Sequence, residues 1–298
     1  MSADGSIVLF QVDTFANQPF TGNPAAVCLI ERPLDESLMQ SIAMELNVSE
    51  TAFIRPLSVP SIHKCRRFRA HWFTPEKKLD AGGHSAIACA CVLRSIYGSL
   101  SAGIILEGAK GRCAVQIGLN CYRVFYPAAD PRPFRMPEIF FNALRLDRDR
   151  LADHFKEACV CEKTRMLLLR FGSVEAIRKI QPDFGDLRHV QEAFGLESLI
   201  VTACDGCSYD FVSRTFAPIL GIPEDPVSAL SHRILVPYWG ALLNKSRFLA
   251  YQASRRGGEL TLELRKGTAT KPDKVAVSGN AIITLEATIN LDLYKEYA

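Results

Sequence analysis

One stretch of this chain leaves a helix no place for a polar face, and that restricts the fold more than any other feature. His84 to Leu93, H-S-A-I-A-C-A-C-V-L, is small and apolar on nearly every side. A helix of that composition has to be surrounded, so it belongs in the middle of a domain. A second apolar helix is expected over Pro226 to Leu243. The same device introduces both. Phe73-Thr74-Pro75 and Phe216-Ala217-Pro218 each end a strand and open a loop into the helix, and the two phenylalanines stand 143 residues apart. That offset carries Gly82 onto Asp225, and Gly83, His84 and Ser85 onto Pro226, Val227 and Ser228. The chain therefore reads as two copies of one plan. Two such halves can present their helix N-termini toward one another across a cleft. The unpaired N–H groups and positive dipole ends there suit a carboxylate.

The remaining pattern fits alternating strands and helices. Ile7 to Phe15 reads as an opening strand, and Phe20 to Val27 as a turn into an apolar segment. Leu34, Leu38, Ile42 and Leu46 recur every four residues and mark an amphipathic helix. Polar punctuation at Asn47 to Thr51 leads to a strand at Ala52 to Ile54, and Arg66 to Phe73 is another. In the second half we expect a helix near Asp147 to Ala158, a strand at Met166 to Phe171, and helices near Val174 to Ile180 and Leu187 to Phe194. Strands follow at Ser198 to Ala203 and Tyr209 to Phe216, and four short strands run from Arg247 onward. Tyr126 to Pro137 holds four prolines, which neither a helix nor a central strand tolerates. We accordingly divide the chain into lobes 1–126 and 138–298, with 127–137 as linker and the terminal strand free to return to the first lobe.

Composition narrows the function classes. With 298 residues, 48% hydrophobic and 22% charged, the chain can bury a full core, which excludes wholesale disorder. A net charge of +3 without a long basic stripe argues against nucleic acid as a partner, since Lys64 to Arg69 and Arg255-Arg256 are short. Charged residues interrupt every apolar run before the roughly 20 residues a bilayer requires. Met1 to Ser6 lacks a basic region followed by an apolar stretch, so we expect no secretory leader and a cytoplasmic location. The ten cysteines are then expected as reduced thiols. Cys204-Asp205-Gly206-Cys207 has the spacing of a thiol or zinc pair, but two ligands do not make a structural zinc site. No GxGxxG after a strand, no GxxxxGK[ST] and no HExxH appears. The sequence gives no motif for a cofactor or a metal.

Several strings in order resemble the PhzF-like family of phenazine-biosynthesis proteins, most strongly its animal members. They are Phe20-Thr21-Gly22-Asn23-Pro24-Ala25-Ala26-Val27, Asn47-Val48-Ser49-Glu50-Thr51-Ala52-Phe53, Trp72-Phe73-Thr74-Pro75, Gly82-Gly83-His84, Phe216-Ala217-Pro218 and Glu224-Asp225-Pro226-Val227. Arg256-Gly257-Gly258-Glu259-Leu260 fits the same comparison. The resemblance implies an α+β fold of the diaminopimelate-epimerase-like kind. Such a fold has two pseudo-symmetric lobes, each a curved, mostly antiparallel sheet around a central helix, with the active site between them. It also implies an isomerase that moves a proton on a small carboxylate-bearing substrate without metal or organic cofactor, working as a homodimer. The founding activity of the family is isomerisation of a dihydro-hydroxyanthranilate. A small anionic molecule is the expected partner, and a protein partner is left open.

The same resemblance assigns roles. Glu50 is the proton shuttle, first base and then acid, and Val48, Ala52, Phe53 and Ile54 supply the apolar setting such chemistry favours. His84, at the helix start, positions substrate and shares in proton transfer. Asp225 is the second acid, and Glu224-Asp225-Pro226 also reads as a helix start, with Asp as N-cap and Pro in the first turn. Gly82, Gly83, Ser85 and Asn23 are expected to bind substrate, the glycines by letting a ligand oxygen approach the backbone. Ser228, Ala229 and Leu230 complete the binding set, and there this sequence departs from its relatives. The family reads D-P-V-T-G-S-A-H, whereas the chain has Asp225-Pro226-Val227-Ser228-Ala229-Leu230-Ser231-His232. Ser228 keeps a hydroxyl, but Ala229 adds a Cβ and Leu230 removes a donor. Losing one charge-assisted hydrogen bond costs about 1.5–3 kcal/mol, which is ten- to a hundredfold in binding. Ser231 substitutes if the turn shifts by one residue. Two readings follow: an active isomerase, or a catalytically impaired homologue that acts as a binding or regulatory protein.

Overall fold

The computed structural model describes residues 6–57, 66–98, 103–119, 121–146, 154–268 and 270–291. The chain forms two compact units, Met1–Val124 together with Gly279–Ala298, and Phe125–Ser278.

The first unit runs β1 (Ser6–Thr14), β2 (Asn23–Leu29), α1 (Glu36–Leu46), β3 (Glu50–Pro56), β4 (Arg67–Phe73), β5 (Lys78–Leu79), α2 (Ser85–Tyr97), β6 (Ile104–Glu107), β7 (Arg112–Ile117) and β8 (Tyr122–Pro127). The chain's final strand, Ala281–Asn290, lies antiparallel against β1. From it the order passes through β1, β2, β3 and β4, with only β2–β3 parallel. Next, β4 bonds β5 antiparallel and β6 parallel, and β7 and β8 follow antiparallel. One face of these strands carries Ile7, Leu9, Ala26, Cys28, Phe53 and Phe73, which close a core with Met39, Ile42 and Ala43 of α1. Because side chains alternate along a strand, the other face is left for α2, which touches β1, β2, β3, β7 and the final strand. Every residue from Ser85 to Leu93 is buried there, as its composition requires.

The second unit repeats this plan. It runs β9 (Arg132–Pro133), α3 (Glu138–Ala143), β10 (Phe155–Cys161), β11 (Met166–Phe171), α4 (Val174–Lys179), α5 (Phe184–Ala193), β12 (Ser198–Cys204), β13 (Phe211–Ala217), β14 (Ile222–Asp225), α6 (His232–Leu243), β15 (Arg247–Gln252), β16 (Gly258–Arg265) and β17 (Lys274–Gly279). The final strand is therefore β18. Pairing directions match the first unit step for step: β9–β10 and β10–β11 antiparallel, β11–β12 parallel, β12–β13 and β13–β14 antiparallel, β13–β15 parallel, then antiparallel to β17. A core of Leu167, Leu169, Val201 and Phe216 packs against α3, α4 and α5.

Three expectations need correction. The proline-rich segment is not a bridge between units, because the second unit begins at Phe125. Its polar backbone is spent inside that unit: Ala128 N donates to Asp273 O, Ala129 N to Arg233 O and Phe134 N to Ala158 O. Pro133 fits because β9 is two residues long. The terminal strand takes the course left open for it and returns to the first lobe, since Gly279–Ala298 belongs to the first unit. Of the helix expected near Asp147 to Ala158, residues 147–153 lie outside the described residues, and Phe155–Cys161 is a strand. Finally, α6 begins at His232 rather than Pro226, with Ser231 and not Asp225 as its N-cap residue. The second copy thus carries four more residues before its helix, so the helix starts are 147 apart rather than 143.

Candidate active site

In the first unit the candidate residues converge at the N-terminus of α2. Asn47 ends α1 in the left-handed region, at φ 49°, and sends its N–H back to Ala43 O. The chain reverses and enters β3 at Glu50, whose register partner in β2 is Ala25. On the other side, the Thr74 hydroxyl accepts from Glu76 N and Lys77 N and makes the Phe-Thr-Pro turn. That turn feeds β5, Gly82, Gly83 and α2. The Glu50 carboxylate is 7% exposed and sits at the helix end. It accepts from Gly83 N at 3.0 Å, from Ser85 N at 3.3 Å and from the Ser85 hydroxyl.

His84 is buried beside it, with Nδ1 3.6 Å from Glu50 Oε1. Asn23 Nδ2 lies 3.2 Å from the same Nδ1, and Ser49 Oγ lies 3.2 Å from Nε2. The Ser49 hydroxyl also lies 2.6 Å from Asn23 Oδ1. One consistent set of donors follows: Ser49 donates to Asn23 Oδ1, Asn23 Nδ2 to His84 Nδ1, and His84 Nε2–H to Ser49. The ring nitrogen nearest Glu50 is then the one without a hydrogen.

The residues expected to contact substrate are thus partly engaged with the protein itself. Gly83 and Ser85 hold Glu50, and Asn23 holds His84. Gly82 is required by packing, since a Cβ there would stand 2.3 Å from Trp72 Nε1 and 2.8 Å from Ser85 Oγ. Ser49 went unassigned in the sequence, although it sits inside the Asn47-to-Phe53 string beside Glu50.

In the second unit, Asp225 ends β14 opposite Thr215. Its neighbour Glu224 is gripped by the buried Arg214 at 2.8 and 3.0 Å, and Arg214 Nη1 also donates to Ile177 O and Ile180 O at the end of α4. Gln252, fully buried at the end of β15, spans the following loop. Its Nε2 donates to Asp225 O at 2.5 Å, and its Oε1 accepts from Ser228 N at 2.9 Å. Ser254 Oγ donates to Pro226 O. These bonds keep Asp225–Ser228 out of the helix. Ala229 is buried and Leu230 half-buried. Ser231, fully buried, has its hydroxyl 3.0 Å from that of Thr215, which occupies it within the fold. His232 donates from Nδ1 to Ser228 O at 2.7 Å, and burial pushes its pKa down to about 4. Gln252 also escaped the sequence reading. Its only signal is position, since Phe248, Ala250 and Gln252 alternate inward along one strand.

Among the described residues, no three His, Cys, Asp or Glu side chains gather as a metal site. The nine cysteines among the described residues are free thiols, with Cys204 and Cys207 exposed. No helix among those residues is long and apolar enough to cross a membrane.

A strand plan repeated in two units, with a buried acid at the helix N-terminus of the first, defines a protein of the epimerase-like fold class. A hydroxyproline epimerase of Agrobacterium vitis shares that fold, with a TM-score of 0.56 at 11% identity over 98% of this chain and 94% of its own. The chain belongs to the phenazine biosynthesis-like protein family, whose pattern matches residues 12–287. It is 34% identical to mouse phenazine biosynthesis-like domain-containing protein 2, over 94% of this chain and 98% of that one. An uncharacterised isomerase of Pseudomonas aeruginosa is 33% identical, over 96% and 99%. The crystal structure of a PhzF-family protein from Enterococcus faecalis superposes with a TM-score of 0.80 at 35% identity, covering 95% and 99%.

Proposed function

We propose that this chain is a cofactor-independent isomerase that moves a proton on a small carboxylate-bearing substrate, with Glu50 as the acid–base group. The family and its isomerase-named relatives support the class of reaction. The observation that carries the residue assignment is the buried Glu50 carboxylate, held by Gly83 N and the Ser85 hydroxyl at the start of α2 with His84 Nδ1 3.6 Å away.

The chemistry follows from the donors. A carboxylate accepts the proton leaving a substrate carbon, and the electron pair of the broken C–H bond passes into the adjacent carboxyl or unsaturated system. Glu50 then returns the proton to a different carbon, so atoms and charge balance without an outside reagent. While Glu50 is protonated, the Ser85 hydroxyl can turn from donor to acceptor, which a backbone N–H cannot do. His84 is the nearest base, and it shares the proton where Nδ1 exchanges the Asn23 hydrogen bond for one to Glu50. The reading also gives Asp225 the part of second acid and keeps a cytoplasmic homodimer as the working form.

The rival reading, a binding or regulatory homologue, is favoured by the second unit. Ser228 N is committed to Gln252 and the Ser231 hydroxyl to Thr215, which leaves fewer donors for an anion. Incubation in D2O with a panel of small cyclic carboxylates, including a dihydro-hydroxyanthranilic acid, separates the two. Deuterium uptake with isomerisation supports the enzyme. Binding without exchange, in both the native chain and an Ala229→Gly/Leu230→Ser variant, supports the binder.

A further inference from the structure

Strand β1 has apolar side chains on both faces, and only one face is fully covered. Ile7 and Leu9 pack into the α1 core. Val8 and Phe10 point the other way, where the last turns of α2 run out beneath them. There the first unit holds a cavity of about 540 Å³. Its walls are apolar, including Val8, Phe10, Phe68, Leu93 and Ile96. At 1.5 Å per residue, α2 places this cavity about 18 Å along its axis from the Glu50 end, so the two sites are separate.

Two acidic side chains line this cavity, while Arg94 stands in the last turn of the helix that ends beside it. The charged residues lining it are Glu31 and Glu286, and neither makes an ion pair among the described residues. The helix end that opens here is the C-terminus of α2, whose carbonyls carry the negative end of the dipole. An apolar chamber of drug-like size with two free carboxylates and a helix C-terminus suits an apolar body bearing a cation. We infer that this cavity is a second ligand site that takes a small apolar amine, its ammonium directed to Glu31 or Glu286 and its hydrocarbon part against Phe10 and Leu93.

Isothermal titration with three probes of one chain length tests this: n-octylammonium, n-octanol and octanoate at neutral pH. The expected order is octylammonium first, with octanoate at least tenfold weaker. Glu31→Gln/Glu286→Gln is expected to remove the preference for the amine while leaving octanol binding unchanged. Ile96→Trp, at a partly exposed helix position, is expected to fill the cavity and weaken all three probes at least tenfold, with circular dichroism unaltered. Glu50→Gln is expected to leave binding as it is. Equal or tighter binding of octanoate overturns the proposal, as does octylammonium binding that survives Ile96→Trp or no binding by any probe.

Discussion

At the scale of single residues, the acid proposed for the site could be picked out of the sequence and the groups that hold it could not. Glu50 stood out because it lies in a family string with an apolar border. What holds it comes from segments 33 and 35 residues later, Gly83 and Ser85, and no local pattern predicts that meeting. The glycine pair shows the same gap: Gly83 gives its N–H to the acid, whereas Gly82 makes room for an indole. Ser85→Ala removes a hydrogen bond to a carboxylate, worth about 1.5–3 kcal/mol, and is expected to lower kcat ten- to a hundredfold with KM little changed. Steady-state kinetics on the substrate found by exchange checks the split, and a change confined to KM would reassign Ser85 to binding. Gly82→Ala drives a methyl into Trp72 and is expected to cost about 1–3 kcal/mol in urea unfolding.

At the scale of elements, periodicity located most helices and strands, and it failed where tertiary bonds override local preference. Asp225-Pro226 has the chemistry of a helix start, yet Gln252 and Ser254, from beyond the helix, tie this segment into a loop. Pro237 shows the converse, an interior proline in a helix that persists. A proline there frees the carbonyl four residues earlier, and that carbonyl, Arg233 O, accepts from Ala129 N instead. The segment that looked like a linker is thus the partner of a helix defect. The buried start of α6 also gives a pH prediction. The unfolded chain protonates His232 near 6.5 and the folded one only near 4, so the unfolded state binds more protons between those values. Stability from this group is full above about pH 6.5 and is lost as pH falls toward about 4, by on the order of 3 kcal/mol. His232→Asn keeps a donor for Ser228 O without titrating. Its urea midpoint is expected to fall less between pH 7 and pH 4.5 than that of the native protein, and parallel curves would contradict this.

At the scale of the whole molecule, the two-copy plan was visible in the Phe-x-Pro turns, while the path of the chain's end was open. Strand β18 pairs antiparallel with β1 from Ser6 to Thr14, while β1 also pairs with β2. The two tryptophans report the units separately, Trp72 in the first and Trp239 in the second. Ending the chain at Ser278 strips β1 of its partner from Ser6 to Thr14. In such a truncation, Trp72 fluorescence, read in a Trp239→Phe background, is expected to shift to the wavelength of exposed indole. Trp239, read in a Trp72→Phe background, is expected to keep its buried emission, and an unshifted Trp72 would deny the strand its place.

The claim on which the rest depends is that one carboxyl carries the proton. The rate of deuterium transfer from D2O to the substrate carbon, compared between the native protein and Glu50→Gln, measures that step directly. A loss of at least about a thousandfold is expected, of the order that general acid–base catalysis supplies, at unchanged thermal unfolding. Exchange in Glu50→Gln within a few-fold of the native rate would contradict it.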